Sequence, residues 1–521
     1  MTKIKPVQDS TQFNRSPLSL LLQAGLLYLV LLAAHGYIFG HQDLIEIQGY
    51  LNFLEDPTCY ANDFYLQNIT ARVPNERWMF VEFLHFFNIS TPWSFLISHF
   101  IVSMFLMTGM LKTAQELVRD EFFAFLAVFA TVIVFYKINL GGNELYYNTL
   151  SSSLVAKSIG IWSFYFFLKK APTTAVLLLI PATLIHPIAG VQLFLICSGI
   201  IVVTLIKTGV SSDKLRLYWS IPVYLLTAGL WLFFLEKQFS GGSLGNEGFF
   251  EIIRFRLAHH FIPSAFGLKN YIILLPIFLF AWNHFRKQND TLFWFFNFAI
   301  LGLVVYTLGV EVLHGSVFLS TQWFKTTIWL KFFSMIAIST GVADLLKKHF
   351  PTLKKSLFFL FALALGALTT YLYWKIPQRH PSSFDMPWRG DYNDEIAIAQ
   401  LAKRLTPRDA LFITPTYYTH LKYYGKRSTY VDYKAMVHHK SVLQEWYRRV
   451  KEIYQFREDQ NSTQRLSGTP LRLPASPEGI ERLKSLGITH MITDAPLTGY
   501  AKLLGQRGKY YLYEIDPGLK N

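Results

Sequence analysis

The stretch GHQDLIEIQGYLNFLEDPTCYANDFYL, residues 40 to 66, decides how the rest of the chain is read. It follows an apolar run near 17 to 39 that is long enough to cross roughly 30 Å of hydrocarbon. Many more apolar runs come after it, and it carries Asp43, Glu46, Glu55, Asp56 and Asp63. Carboxylates concentrated where a chain leaves lipid are costly to place and commonly functional. Asp43 and Glu46 are three apart, so on a helix leaving the membrane they share one face with Tyr50. The Asp56-Pro57 turn can bring Asp63 back to the same place. Converging carboxylates can remove a proton from an acceptor hydroxyl or hold a divalent cation against a phosphate. The alternative is a solvated acidic loop, common on the outer side of membrane proteins.

Composition supports the membrane reading. Of 521 residues, 52% are hydrophobic and 17% aromatic but only 16% charged, and the mean hydropathy is +0.27. Spans are expected near 17–39, 93–111, 121–137, 153–168, 172–187, 188–206, 217–235, 271–285, 291–310, 324–345 and 355–375, about eleven helices, with the pair at His186-Pro187 also readable as one bent hairpin. The formal charge of +15 does not call for nucleic acid, because basic residues that orient spans produce the same excess. Those residues gather in alternate connections: Lys3, Lys5 and Arg15; Lys112 and Arg119; Lys169 and Lys170; Lys207, Lys214 and Arg216; Arg286 and Lys287; Lys347, Lys348, Lys354 and Lys355. The loop 40–92 has only Arg72 and Arg77 against Asp43, Glu46, Glu55, Asp56, Asp63, Glu76 and Glu82. A cytoplasmic N-terminus and an outward acidic loop follow from the positive-inside rule. Cys59 and Cys197 form no disulfide framework.

The membrane part is expected over 1–379, and after Trp374 prolines and charges replace the apolar runs, marking an extracytoplasmic domain over 380–521. DEIAIAQLAKRL, SVLQEWYRRVKEI and EGIERLKSLG read as helices, the last capped by Ser476 with Pro477 in its first turn. ALFIT, STYVD, THMIT and KYYLYEI read as strands. Alternation of the two types implies a small α/β layer with a largely parallel sheet. Residues 456 to 476 read as a long loop.

A second candidate segment, RFRLAHHFIPSAFG at 254 to 267, lies in an outer loop over 236–270. Arg254, Arg256, His259 and His260 suit a phosphate or pyrophosphate at the membrane surface, although an interfacial amphipathic helix would carry the same residues. Adjacent histidines on a regular helix cannot both face one site. His186 can reach a polar cavity or satisfy a carbonyl freed by Pro187. Snorkelling accounts for Lys157 and Lys331, with Lys325, beside Gln322 and Trp323 at the outer edge, the exception most suited to a site. Glu144 in NLGGNELYYN reads as another outer-loop acid. Phosphate-loop, dinucleotide and paired-cysteine motifs are absent.

An outward acidic loop after the first span, about ten further spans and an outward C-terminal α/β domain resemble the GT-C class of membrane glycosyltransferases. LEDPTCYANDFY, RFRLAHHFIPSAFG, TPRDALFITP, YVDYKAM, EWYRR and YYLYEI resemble, more closely, a group of bacterial integral membrane proteins of that design. The resemblance implies a bacterial inner-membrane location and a polyprenyl-phosphate-linked sugar as donor, with a glycan, lipid or protein acceptor. It implies Asp63 or Asp43 as the acceptor-activating carboxylate, Asp63 first, and Arg254 and Arg256 as ligands of the lipid phosphate. This chain has His-Gln-Asp where the commonest pattern has an adjacent acidic pair, which leaves a divalent cation open. A transporter or flippase of a lipid-linked glycan would use intramembrane charges instead, and a non-catalytic envelope assembly protein would use the C-terminal domain to bind a partner.

Overall fold

A computed structural model describes residues 16–118, 120–211, 218–239, 242, 244–349, 354–379, 384–389, 393–457, 460, 464–465, 471, 476–497 and 501–515. Lys3, Lys5, Arg15, Arg119, Lys214 and Arg216, part of the outer loop 236–270, much of the 456–476 loop and the expected boundary at 380 lie outside them.

The first apolar run forms the helix Pro17–His35, started by Pro17 in its first turn and stopped by Gly36 at φ 74°. Among the described residues six helices are long and apolar enough to cross a membrane: Pro17–His35, Pro92–Val118, Pro187–Thr208, Ser220–Phe239, Asp290–Glu311 and Ser316–His349. Shorter apolar helices cover Glu121–Val134, Ser152–Leu168, Pro172–Ile185 and Leu363–Leu372, so the expected eleven are not all of spanning length. Local chemistry sets their ends. Asp120 accepts from the Phe122 and Phe123 amides, Ser151 from Leu154 and Asn289 from Leu292, each cap satisfying a donor that lipid would leave bare. Leu22, Ile206 and Leu226 stand fully outward on their helices. Such an apolar exterior suits hydrocarbon and not water, and the chain is an α-helical membrane protein.

The C-terminal part is a small α/β unit. Its sheet has the order β2-β1-β3-β5-β4, with β1 Leu411–Ile413, β2 Ser428–Thr429, β3 His490–Thr493, β4 Lys502–Arg507 and β5 Tyr510–Glu514. β1 pairs in parallel with β2 and β3, whereas β3–β5 and β5–β4 are antiparallel. The sheet is therefore mixed and not largely parallel. The difference is the hairpin formed by β4, which turns at Gly508 (φ 52°) and whose KLLGQR lacks the alternation of a half-buried strand. The helix Asp394–Leu405 covers one face of the sheet, packing Ile398 and Ala402 with Phe412 and Leu512. The helices Lys440–Ile453 and Pro477–Ser485 join the larger core that continues into the membrane part.

That continuity positions the site. Loop 40–92 and the C-terminal unit are packed together on one side of the helical bundle. Asp385 accepts from the Phe39 amide at 2.9 Å and pairs with His41 at 2.7 Å, holding the exit of the first helix. Lys422 is fully buried between Asp63 and Asp432.

Candidate active site

After the first helix the chain turns sharply twice, at Gly36 and at Gly40 (φ 81°). A Cβ on Gly40 would lie 2.4 Å from the Tyr424 ring, so only glycine fits there. The turn delivers Asp43 to the start of the helix Leu44–Glu55, where its side chain caps nothing and is 70% accessible.

The segment 430–438, which includes the YVDYKAM motif, lies as a strap across the acidic loop and meets its acids one at a time. Asp432 shares Lys422 with Asp63. The Tyr433 carbonyl accepts from Arg256 Nε at 2.9 Å, and that guanidinium lies over the Tyr433 ring at 4.8 Å. Lys434 pairs with Asp43 at 2.8 Å, the Met436 amide donates to Glu46 at 3.3 Å, and His438 pairs with Glu76 at 2.8 Å. Glu46 also pairs with Arg77 at 2.5 Å.

The expected convergence of Asp43, Glu46 and Asp63 therefore does not occur: each goes to a different basic partner. Asp63 has no accessible surface. One carboxylate oxygen caps the Leu66 amide, and the other takes Lys422 and the Thr429 amide and hydroxyl. No acceptor hydroxyl can reach it, and the structure gives it the work of an anchor. Glu46 is likewise occupied on both oxygens. Asp43 alone of the three opens outward. Lys434 holds its carboxyl well below the usual carboxylate range, with Arg77 adding to the pull. Burial works to raise Glu76, but His438 and Arg77 bring it down to about 2.

A narrow cleft is lined by Asn143, Ser153, Lys157, His186, Gln192, Lys325 and Trp329, and Asp43 lies within electrostatic reach of its Lys325. Neither of the cleft's lysines makes an ion pair among the described residues. Lys157, 2% exposed, donates to Asn143 Oδ1 at 2.7 Å and to the Glu144 carbonyl at 2.5 Å and lies over the Tyr147 ring. Lys325 has no ion pair among the described residues. Snorkelling does not describe Lys157 or Lys331: Lys331 is buried on Glu144 at 2.7 Å and on two carbonyls, which also turns Glu144 from an exposed loop acid into a buried one. His186 accepts from the Ala189 amide at 3.3 Å as the cap of its helix and also lines the cleft.

Gln192 belongs to two cavities. On its other side runs a mostly apolar groove of about 380 Å³, walled by Val191, Leu195, Leu232, Leu235, Phe239 and Phe261 and closed at its polar end by Arg72, Glu76 and His438. Leu195 is 50% exposed on the outer surface of its helix, so the groove opens toward lipid.

The Arg–His segment is divided. Arg254 is exposed and unpaired among the described residues, whereas Arg256 is buried on Tyr433. The helix Asn246–Phe261 breaks its regular dihedrals at Leu257 (φ −127°), which lets the two histidine rings approach to 4.0 Å, contrary to the expectation for a regular helix. His260 bonds the Gly141 carbonyl at 3.0 Å, and burial pushes His260 down to about 3 and His259 to about 4, so both are neutral.

A divalent cation does not fit these residues: Asp43, Glu46 and Asp63 are each committed to a basic side chain, and among the described residues no group of three or more His, Cys, Asp or Glu side chains could hold a metal. Sequence reading assigned Lys157 to snorkelling, counted Arg77 only among the loop's basic residues and left Lys434 unnamed. Lys434 sits inside YVDYKAM, and Lys157 interrupts an apolar run with no acid a helical turn away, the one signal that could have singled it out.

A family model described as a domain of unknown function, DUF6798, matches residues 393–453, which span the strap and the helices on either side of it. No curated protein matches the chain. Among solved structures, the chain is similar to an Archaeoglobus fulgidus oligosaccharyltransferase tethered by a disulfide to an acceptor peptide containing the NVT sequon, at 12% identity and a TM-score of 0.43, covering 92% of this chain and 69% of that one.

Proposed function

We propose that the chain is a glycosyltransferase-like enzyme of the bacterial inner membrane that moves a sugar from a polyprenyl-phosphate carrier to a glycan, lipid or protein acceptor on the extracytoplasmic face. The N-terminus is then cytoplasmic, and residues 380–521 form the outward domain. One observation carries this reading: Lys325, with no ion pair among the described residues, lines a cleft that shares Gln192 with a groove open to lipid, and the charge of the accessible Asp43 lies within its electrostatic reach. The lipid tail would lie in the groove and its phosphate against Lys325, Lys157 and His186. The acceptor oxygen forms its bond to the anomeric carbon while Asp43, and not the sealed Asp63, takes the hydroxyl proton. The bond from that carbon to the phosphate oxygen breaks, and its electron pair stays on the phosphate, where the ammonium groups stabilise it. Arg256 positions the strap through Tyr433 and does not itself meet the phosphate.

The test is mass spectrometry of lipid-linked and surface glycans in cells with the chain, without it, and with Asp43→Asn or Lys325→Ala. Loss of one glycan product, with the lipid-linked precursor accumulating, supports the reading. A purified protein that carries a lipid-linked sugar across vesicles without joining it to anything would instead be a transporter.

A further inference from the structure

A third cavity, apart from the cleft and the groove that share Gln192, has no part in that chemistry. It is an open cleft of about 650 Å³ between the end of the helix Leu44–Glu55, residues 90–92, and the helix Asp394–Leu405 of the C-terminal unit. Three cations line it, Lys403, Arg404 and Lys426, against a single acid, Glu55, which stands 3.9 Å from Lys426. Lys403 and Arg404 occupy the last turn of their helix, where a positive charge suits the helix dipole, and their charged heads have no ion-pair partner among the described residues. Tyr423 and Tyr424 supply an aromatic wall.

The cleft stands at the level where the chain enters lipid. Pro92 is the first residue of a membrane-crossing helix whose next residue, Trp93, is 53% exposed and packs with Trp388, the ring centroids 5.7 Å apart. Phe86 and Phe87 project outward just before it. Exposed tryptophans at a helix mouth mark the headgroup layer, and unpaired lysine and arginine at that depth attract anionic headgroups.

We propose that this cleft binds the headgroup of an anionic phospholipid, its phosphate on Lys403 and Arg404 and its glycerol against the tyrosines, pinning the C-terminal unit to the bilayer. The inference is independent of the role of Asp43. The probe is phosphatidylglycerol. Full-length protein is reconstituted in nanodiscs of phosphatidylcholine containing a minority of phosphatidylglycerol, and the lipids it retains are measured by native mass spectrometry. Wild type should retain phosphatidylglycerol preferentially, and Lys403→Gln with Arg404→Gln should lower that preference roughly tenfold, more so at low salt. The charge-keeping pair Lys403→Arg and Arg404→Lys should retain it, which separates loss of charge from loss of fold. Equal retention by wild type and the glutamine pair overturns the proposal. So does tight binding of a soluble acidic oligosaccharide, lost in the glutamine pair, without any lipid preference, which would make the cleft a glycan subsite.

Discussion

Lys422 and Lys325 are both lysines set among packed side chains, and the protein surrounds them in opposite ways. Lys422 lies between Asp63 and Asp432 with Thr429 completing its hydrogen bonds. The two aspartates raise its pKa despite burial, while burial raises that of Asp432. Lys325 has the Asp43 charge in its surroundings but no carboxylate in contact. A closed triad has nothing left to offer a ligand, whereas a lysine without an acid is a standing demand for an anion. One site locks the strap to the loop; the other leaves a lysine with no carboxylate in contact.

The contrast breaks most sharply at the lock. Asp63→Ala leaves Lys422 buried on Asp432 alone and should cost about 3–5 kcal/mol, read as lower membrane abundance and early proteolysis of the C-terminal unit. Adding Lys422→Met should recover part of that loss, because the orphaned charge and not the missing contact is what costs. Asp43→Asn should leave abundance and thermal unfolding near wild type while transfer falls roughly a hundredfold or more. Equal loss of stability and transfer in Asp43→Asn would make it a second anchor.

Acid should loosen the packed face more gradually. His420 is fully enclosed beside His41, and burial first, then the neighbouring imidazole, holds it neutral well below its ordinary value; His259 and His260 are held at about 4 and 3. These groups bind a proton more readily unfolded, so the stability they permit is complete above about pH 6.5 and is lost as pH falls toward their folded values. Glu76 adds a contribution present above its ordinary 4.5 and lost as pH falls to about 2. Thermal melts in detergent should therefore move down between pH 7.5 and 5, and a flat profile would show that water reaches these rings. The smallest effect belongs to Arg254→Ala, which should change stability by less than about 0.5 kcal/mol and leave transfer intact. A large loss there would return the phosphate site to the RFRLAHH segment.

Much of the fold was legible because it follows from local periodicity. Apolar runs, the Ser476 cap, the helix Asp394–Leu405 and strands β1, β2, β3 and β5 appear where pattern and turn residues put them. β4 escaped because KLLGQR stays paired only through its neighbour β5. The candidate site was half legible. Asp43, Lys325 and His186 could be nominated from their place at span ends, but Asp63 and Arg256 looked equally available, since nothing in LEDPTCYANDFY or RFRLAHH records that Lys422 and Tyr433 would cover them.

The sequence by itself determined that this is a membrane chain with an acidic loop after its first helix and a small α/β unit at its end, because transfer of apolar side chains and helix or strand periodicity are properties of neighbours along the chain. Only the tertiary structure decided which charges are spent and which are left open. Lys422 lies hundreds of positions after Asp63, and Lys434 as far after Asp43, so their pairing depends on how the strap folds back over the loop. Charge in a low-dielectric interior is governed by whatever lies within a few ångströms in space, and no spacing along the chain encodes that.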